Sequence, residues 1–211
     1  MDQKTVCLIA FNWQPDHPQP LLMAANRDEF HQRATKAVHW WENPADVIAG
    51  RDLEAGGTWL AASRSGRFAA VTNFRQPDAP LAERSRGDLP LIWMQSKHPI
   101  EATVESIHRH RSAYGPFSFL LGQCSGSDAQ LWMVGTHEAP FAVAPGLHAL
   151  SNHRFDSPWP KSRRMVDGLR PHAQAGAVFA PDALFELLHD QQTAPDDQLP
   201  DTGVGFDMER L

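Results

Sequence analysis

Short apolar stretches of β type open this chain, stretches with helical spacing interrupt them between residues 85 and 111, and strands and then helices follow again. That succession constrains the fold most. A doubly wound parallel sheet needs strand and helix to alternate one for one, whereas blocks of strands followed by blocks of helices favour layered α+β. Residues 5–12 are dominated by apolar β-formers, and the turn-rich run 14–20, QPDHPQP, ends them before 21–25 begins a second strand. A second hairpin has 58–62 and 68–73 flanking Ser63-Arg64-Ser65-Gly66, where Gly66 supplies the positive φ that the turn needs. Leu89, Ile92 and Trp93 within 85–97, and Ile100, Val104 and Ile107 within 99–111, recur at helical spacing, with a break near His98-Pro99. Strands are expected again at 117–122, 129–135 and 147–151, and helices at 160–170 and 181–190. Residues 192–205 read as a surface loop, and 206–211 as a helix just beginning, which suggests a sequence truncated at its C-terminus.

Residues 1–211 are read as one domain, large enough to bury roughly 70% of the surface of its unfolded form. A formal charge of −6 argues against general affinity for nucleic acid or anionic membrane surfaces. Arg84, Arg86, Lys161, Arg163 and Arg164 could still form a local basic patch, or be scattered solvated cations. Two cysteines make no disulfide framework and indicate a reducing compartment. There is no secretory signal and no apolar run near 18 residues, so no spanning helix and a cytoplasmic location are expected.

Cys7 heads the run Val6-Cys7-Leu8-Ile9-Ala10-Phe11, and a returning strand can place Arg27, of Asn26-Arg27-Asp28-Glu29, beside it. Taken alone, Cys7 reads first as a small buried hydrophobe in a strand. The chemical alternative is a nucleophile, because a nearby arginine raises the thiolate fraction. Were Cys7 the first residue, its own α-amine could act as general base. Met1 to Val6 stand in the way of that scheme unless they are removed or translation starts at Val6 through a GUG codon. Arg27 could grip a substrate carboxylate and Asp28 orient the amine, with Glu29 turned away; a salt-bridged turn is the plainer reading. Asn73 and Asn152 each set a side-chain amide at a strand end, where it can donate to an oxyanion or serve ordinary turn chemistry.

The 11 histidines raise the question of metal or heme ligation. His108 and His110 diverge by roughly 200° on a helix, and no HExxH, CxxC or CxxCH appears, so no metal site is expected. A single axial histidine leaves no spacing signature, which keeps His17, His31, His39, His148 and His153 eligible for heme. The run from Gly50 and Arg51 through Gly56-Gly57 to Trp59 could line a ligand cleft, or form a tight turn with Trp59 in the core.

These pieces resemble the NRDE family, also called the transport and Golgi organisation family. The matching stretches are CLIAF at 7–11, LLMAANRDEF at 21–30, GRDLEAGGTWLA at 50–61, GRFAAVTNFR at 66–75, SRGDL at 85–89, APGLHALSN at 144–152 and SPWPK at 157–161. The resemblance implies the four-layer αββα sandwich of the N-terminal nucleophile (Ntn) hydrolase type. By the pattern of cysteine amide hydrolases it assigns Cys7, Arg27, Asp28, Asn73 and Asn152 to catalysis, while a sixth member, a late arginine in a Tyr-Gly-Thr-Arg segment, has no counterpart here. Asn26, Glu29, Arg51, Gly57, Trp59 and Arg86 form the candidate binding set. Family members have been associated with heme movement and with acyl-CoA and lipid metabolism. The resemblance therefore implies first a carrier of heme or a related hydrophobic ligand, with heme as cargo and no cofactor required. An N-terminal cysteine amidohydrolase or thioesterase comes second, and a non-catalytic interaction domain third. It indicates a small-molecule ligand and no particular protein partner.

Overall fold

The computed structural model describes residues 7–125, 128–174 and 181–203, together with Gly205 and Glu209. Ten strands and four α-helices are assigned among them: β1 Cys7–Trp13, β2 Leu21–Arg27, β3 Thr35–Trp40, β4 Val47–Asp52, β5 Leu60–Ser63, β6 Arg67–Asn73, α1 Asp88–Gln95, α2 Ile100–Arg109, β7 Phe117–Gln123, β8 Gln130–Gly135, β9 Phe141–Ala142, β10 Gly146–Leu150, α3 Pro160–Leu169 and α4 Pro181–Leu188. The strands form a three-stranded sheet, β10-β1-β2, and a seven-stranded sheet running from β3 to β9 in order. Every strand pair is antiparallel.

The alternation of side chains along each strand sorts them into layers. Ile9, Phe11 and Trp13 of β1 meet Ala70, Leu120, Leu131 and Met133 between the sheets. Ala10 and Ala24, on the other face of the small sheet, pack against Met165 and Leu169 of α3 and Leu184 of α4. Ala69, Val71, Phe119 and Leu121, on the outer face of the large sheet, pack against Leu89 and Trp93 of α1 and Val104 and Ile107 of α2. Helix pair, large sheet, small sheet and helix pair thus stack as the expected αββα sandwich, an α+β architecture. No described helix is long and apolar enough to cross a membrane.

The structure departs from the sequence reading chiefly between residues 26 and 57, where β3 and β4 form and no strand was expected. β3 is an edge strand, exposed along most of its length and shifted in register between Lys36 and His39, so it shows no alternation to read. β4 carries Gly50 at its centre, which weakens the same signal. β9, two residues long, is too short to be detected. β2 runs on to Arg27, so Asn26 and Arg27 belong to the strand and not to a loop. α1 begins at Asp88 because residues 85–87 form a turn, and Gly66 takes φ 83° in the hairpin as expected. Apart from Glu209, the helix expected over 206–211 lies outside the described residues.

Candidate functional site

Pairing between β1 and β2 sets Cys7 opposite Arg27 and Leu8 opposite Asn26. Because successive side chains leave a strand on opposite faces, this register divides the Asn-Arg-Asp-Glu segment between two clefts. Cys7, Arg27 and Glu29 open toward the large sheet, into a cleft of about 740 Å³. Leu8, Asn26 and Asp28 open the other way, into a cleft of about 510 Å³ under α3 and α4.

Arg51, Gly57, Trp59, Asn73 and Arg86 of the candidate set also line the first cleft. Cys7 is 5% exposed. Loss of water pushes its thiol up to about 11; Arg27 and Lys161 pull it back, while Asp28 and Glu29 add to the rise. Arg27 donates to Glu29 at 2.6 Å, and Arg33 donates through Nε to Asp52 at 2.7 Å. Arg27 to Asp52 at 3.7 Å and Arg33 to Glu29 at 3.8 Å close the four into one network. Burial alone would raise the Asp52 carboxyl, yet the bond from Arg33 and the amides of Ala55 and Glu54 hold it below its ordinary value. Glu29, expected to turn away, is therefore a member of this site, whereas Asp28 lines the second cleft. Arg33 and Asp52 escaped the sequence reading. Their one signal was the spacing of four between Glu29 and Arg33, and the strand carrying Asp52 was not anticipated.

Asn152 braces the site from behind. It is fully buried, accepts the Cys7 backbone N–H on Oδ1 at 2.9 Å, and donates from Nδ2 to the Asn73 carbonyl at 3.1 Å. Ser151 donates to the Cys7 carbonyl at 2.7 Å, and Thr72 to the Ser151 carbonyl at 2.9 Å. The Asn152 amide is thus committed to holding β1, β6 and β10 together, and Asn73 is the asparagine that lines the cleft.

Gly57 is needed at a close approach of two chain segments. A Cβ there would lie 2.4 Å from the Gly87 carbonyl oxygen, which accepts from Thr58 N–H at 3.1 Å. Trp59 satisfies both of its readings, since it packs against both cores that flank the large sheet and also lines the cleft. Arg51 is exposed, with its guanidinium 4.6 Å over the Trp41 ring.

In the second cleft Asn26 donates to the Leu188 carbonyl at 2.7 Å, tying β2 to the end of α4. Burial pulls the Lys161 amine down to about 7, aided by Arg75 and opposed by Asp28, Cys7 and Glu209. Partial burial raises the Asp28 carboxyl against the pull of Lys161. The basic residues weighed as a patch are dispersed: Arg84 and Arg86 line the first cleft, Lys161 and Arg164 the second, and Arg163 neither.

None of the five histidines eligible as a heme ligand lines either cleft. His148 is held by Asp156 at 2.7 Å, His153 stacks on Phe74 and Trp159, and His39 on Trp41. Among the described residues Cys7 is the only sulfur or imidazole side chain that lines the first cleft. Among the described residues no three His, Cys, Asp or Glu side chains gather as a metal site.

A family model described as Transport and Golgi organisation 2 matches residues 6–211. Similar proteins include the Bos taurus "Transport and Golgi organization protein 2 homolog", 30% identical over 94% of this chain and 76% of its own length. The Drosophila melanogaster "Transport and Golgi organization protein 2" is 33% identical over 95% of this chain and 80% of its own length. Among solved structures, a Caenorhabditis elegans N-acylethanolamine-hydrolyzing acid amidase ortholog aligns with a TM-score of 0.47 at 10% identity, over 88% of this chain and 86% of that one.

Proposed function

The chain belongs to the Transport and Golgi organisation 2 family, and on that premise we propose that its first cleft carries an anionic amphipathic small molecule of the heme or acyl-CoA class. One observation carries this reading: cationic side chains outnumber acidic ones along the described lining of the cleft, and large apolar side chains stand exposed beside them. Among the described residues Arg27, Arg33, Lys36, Arg51, Arg84 and Arg86 line it beside the acidic Glu29 and Asp52, while Glu54 pairs with Arg33 at 3.3 Å and Asp88 with Arg84 at 3.7 Å. Val38 and Leu81, 70% and 101% exposed, stand at its mouth. Large apolar side chains held in water beside a cationic hollow suit a ligand with an acidic part and a greasy part. Titration with heme, followed at the Soret band, and with decanoyl-CoA, followed by calorimetry, tests the reading. Saturable binding weakened by Leu81→Asp and by added salt is expected. Absence of saturable binding of both ligands, or binding indifferent to the rim variant, refutes it.

A second reading, an N-terminal cysteine amidohydrolase or thioesterase, draws support from the 2.9 Å contact between Cys7 N and Asn152 Oδ1. That contact would hold a freed α-amine beside the thiol, where it could take the thiol proton as Sγ attacks an acyl carbon. The expected outcome is turnover by protein beginning at Cys7, lost in Cys7→Ala. A native protein whose mass retains Met1 to Val6 excludes this reading and leaves the carrier untouched.

A further inference from the structure

We propose that Arg86 receives the acid group of the ligand, so that an amphipathic carboxylic acid enters the first cleft head first and leaves its apolar part at the rim. This rests on the carrier reading and adds to it an orientation and a residue that selects the ligand.

Three segments fix Arg86. The turn before α1 is pressed onto residues 57 and 58, where Thr58 N–H donates to the Gly87 carbonyl at 3.1 Å and only a glycine fits at 57. Ser85 Oγ accepts the Gly87 N–H at 3.1 Å and tightens the same turn. The guanidinium then donates from Nη1 to the Pro116 carbonyl at 3.1 Å, beside Gly115, where a Cβ would come within 3.2 Å of that nitrogen. A planar fork held in place by backbone loses little freedom when it grips a carboxylate.

The surroundings set the direction of entry. Arg86 and Cys7 both line the cleft, Cys7 buried and Arg86 half-buried, and the thiol, protonated at neutral pH, adds no negative charge to repel an acid. A carboxylate that reaches the half-buried guanidinium makes charge-assisted hydrogen bonds that an apolar tail cannot make. Acid first, its chain instead covers Val38 and Leu81.

Decanoate and methyl decanoate are titrated calorimetrically into wild-type protein, Arg86→Met, Arg86→Lys and Gly115→Ala, with heme titrated separately. Wild-type protein is expected to prefer the acid by about tenfold to a hundredfold, the worth of a charge-assisted hydrogen bond. Arg86→Met should bind acid and ester alike, Arg86→Lys should retain part of the preference, and Gly115→Ala should reduce it by displacing the fork. Equal binding of acid and ester by wild-type protein, or a preference that survives in Arg86→Met, overturns the proposal. Should Arg86→Met fail to fold, the lysine and alanine variants decide. Heme binding alongside equal acid and ester binding sinks this proposal alone; no binding of any probe sinks the carrier reading with it.

Discussion

The Cys7 thiol offers the sharpest quantitative test of the site. Burial lifts it to about 11 from an ordinary 9.0. Near pH 7.5 that difference cuts the thiolate fraction about a hundredfold. A more basic thiolate is also a better nucleophile, and with a Brønsted slope of about 0.4–0.5 the two units recover about sixfold to tenfold. Exchange with 4,4′-dithiodipyridine should therefore run about tenfold slower than a model thiol, before access through a 5% exposed surface slows it further. Between pH 7 and 9.5 the rate should climb without levelling, whereas an ordinary thiol begins to level near pH 9. Charge variants set the sign. Arg27→Met removes the strongest pull toward thiolate and should slow exchange, and Asp28→Asn removes an opposing charge and should speed it. Cys124, pushed up to about 12 but more exposed than Cys7, provides an internal comparison and should likewise climb without levelling. Stopped-flow absorbance with peptide mapping resolves the two thiols. A plateau below pH 9, or faster exchange in Arg27→Met, refutes the electrostatic account.

Gly57→Ala must separate two backbone segments, because its Cβ would sit 2.4 Å from the Gly87 oxygen, and should cost about 1–3 kcal/mol in urea denaturation. Gly87→Ala meets nothing nearer than 3.3 Å and should cost less; the reverse order would overturn the steric account. Asn152→Ala strands the buried Cys7 N–H and removes the donor to the Asn73 carbonyl, so a loss of about 2–4 kcal/mol is expected, read as a fall in Tm of about 2–4 °C per kcal/mol. The Lys161 amine sits at about 7 folded against 10.5 unfolded, so between those values the unfolded chain binds the extra proton and stability rises with pH, by at most about 1.4 kcal/mol per unit. Lys161→Met should therefore stabilise the fold at pH 7, with a gain that shrinks toward pH 10; an unchanged pH dependence would show that the amine is not depressed.

Much of the site follows from parity along two strands. Once β1 and β2 are read as a hairpin, Cys7 and Arg27 fall opposite each other, and the same parity assigns Glu29 to their face and Asp28 to the other. The exchange of roles between Asp28 and Glu29 could thus have been anticipated had the alternation been carried two residues past the strand end. Arg33 and Asp52 were hidden for a different reason. Asp52 ends β4, which pairs with an exposed edge strand, and edge strands carry neither the apolar alternation nor the β-branched runs that mark buried ones. The layer order was legible because the helices flanking each sheet have one apolar face and the turns between strands are strong. What Asn152 does was not legible, since a side-chain amide is donor and acceptor at once and only the register of β10 against β1 decides which end meets Cys7.

The proposed carrier and hydrolase readings need no difference in fold, because what separates them is one covalent change at Cys7. With an amide at its nitrogen, Cys7 offers a single N–H, already accepted by Asn152, and ionisation of the thiol leaves a buried anion that Arg27 and Lys161 favour and Asp28 and Glu29 oppose. A freed α-amine keeps the Asn152 contact and adds a proton acceptor of pKa about 7.7–8.0 within the same residue. Proton transfer from Sγ to that amine creates a neighbouring ion pair in place of a lone charge, and a pair costs far less to bury than an isolated anion. An acid preference measured on protein that retains its first six residues therefore isolates recognition from chemistry, and turnover after their removal measures what the amine adds.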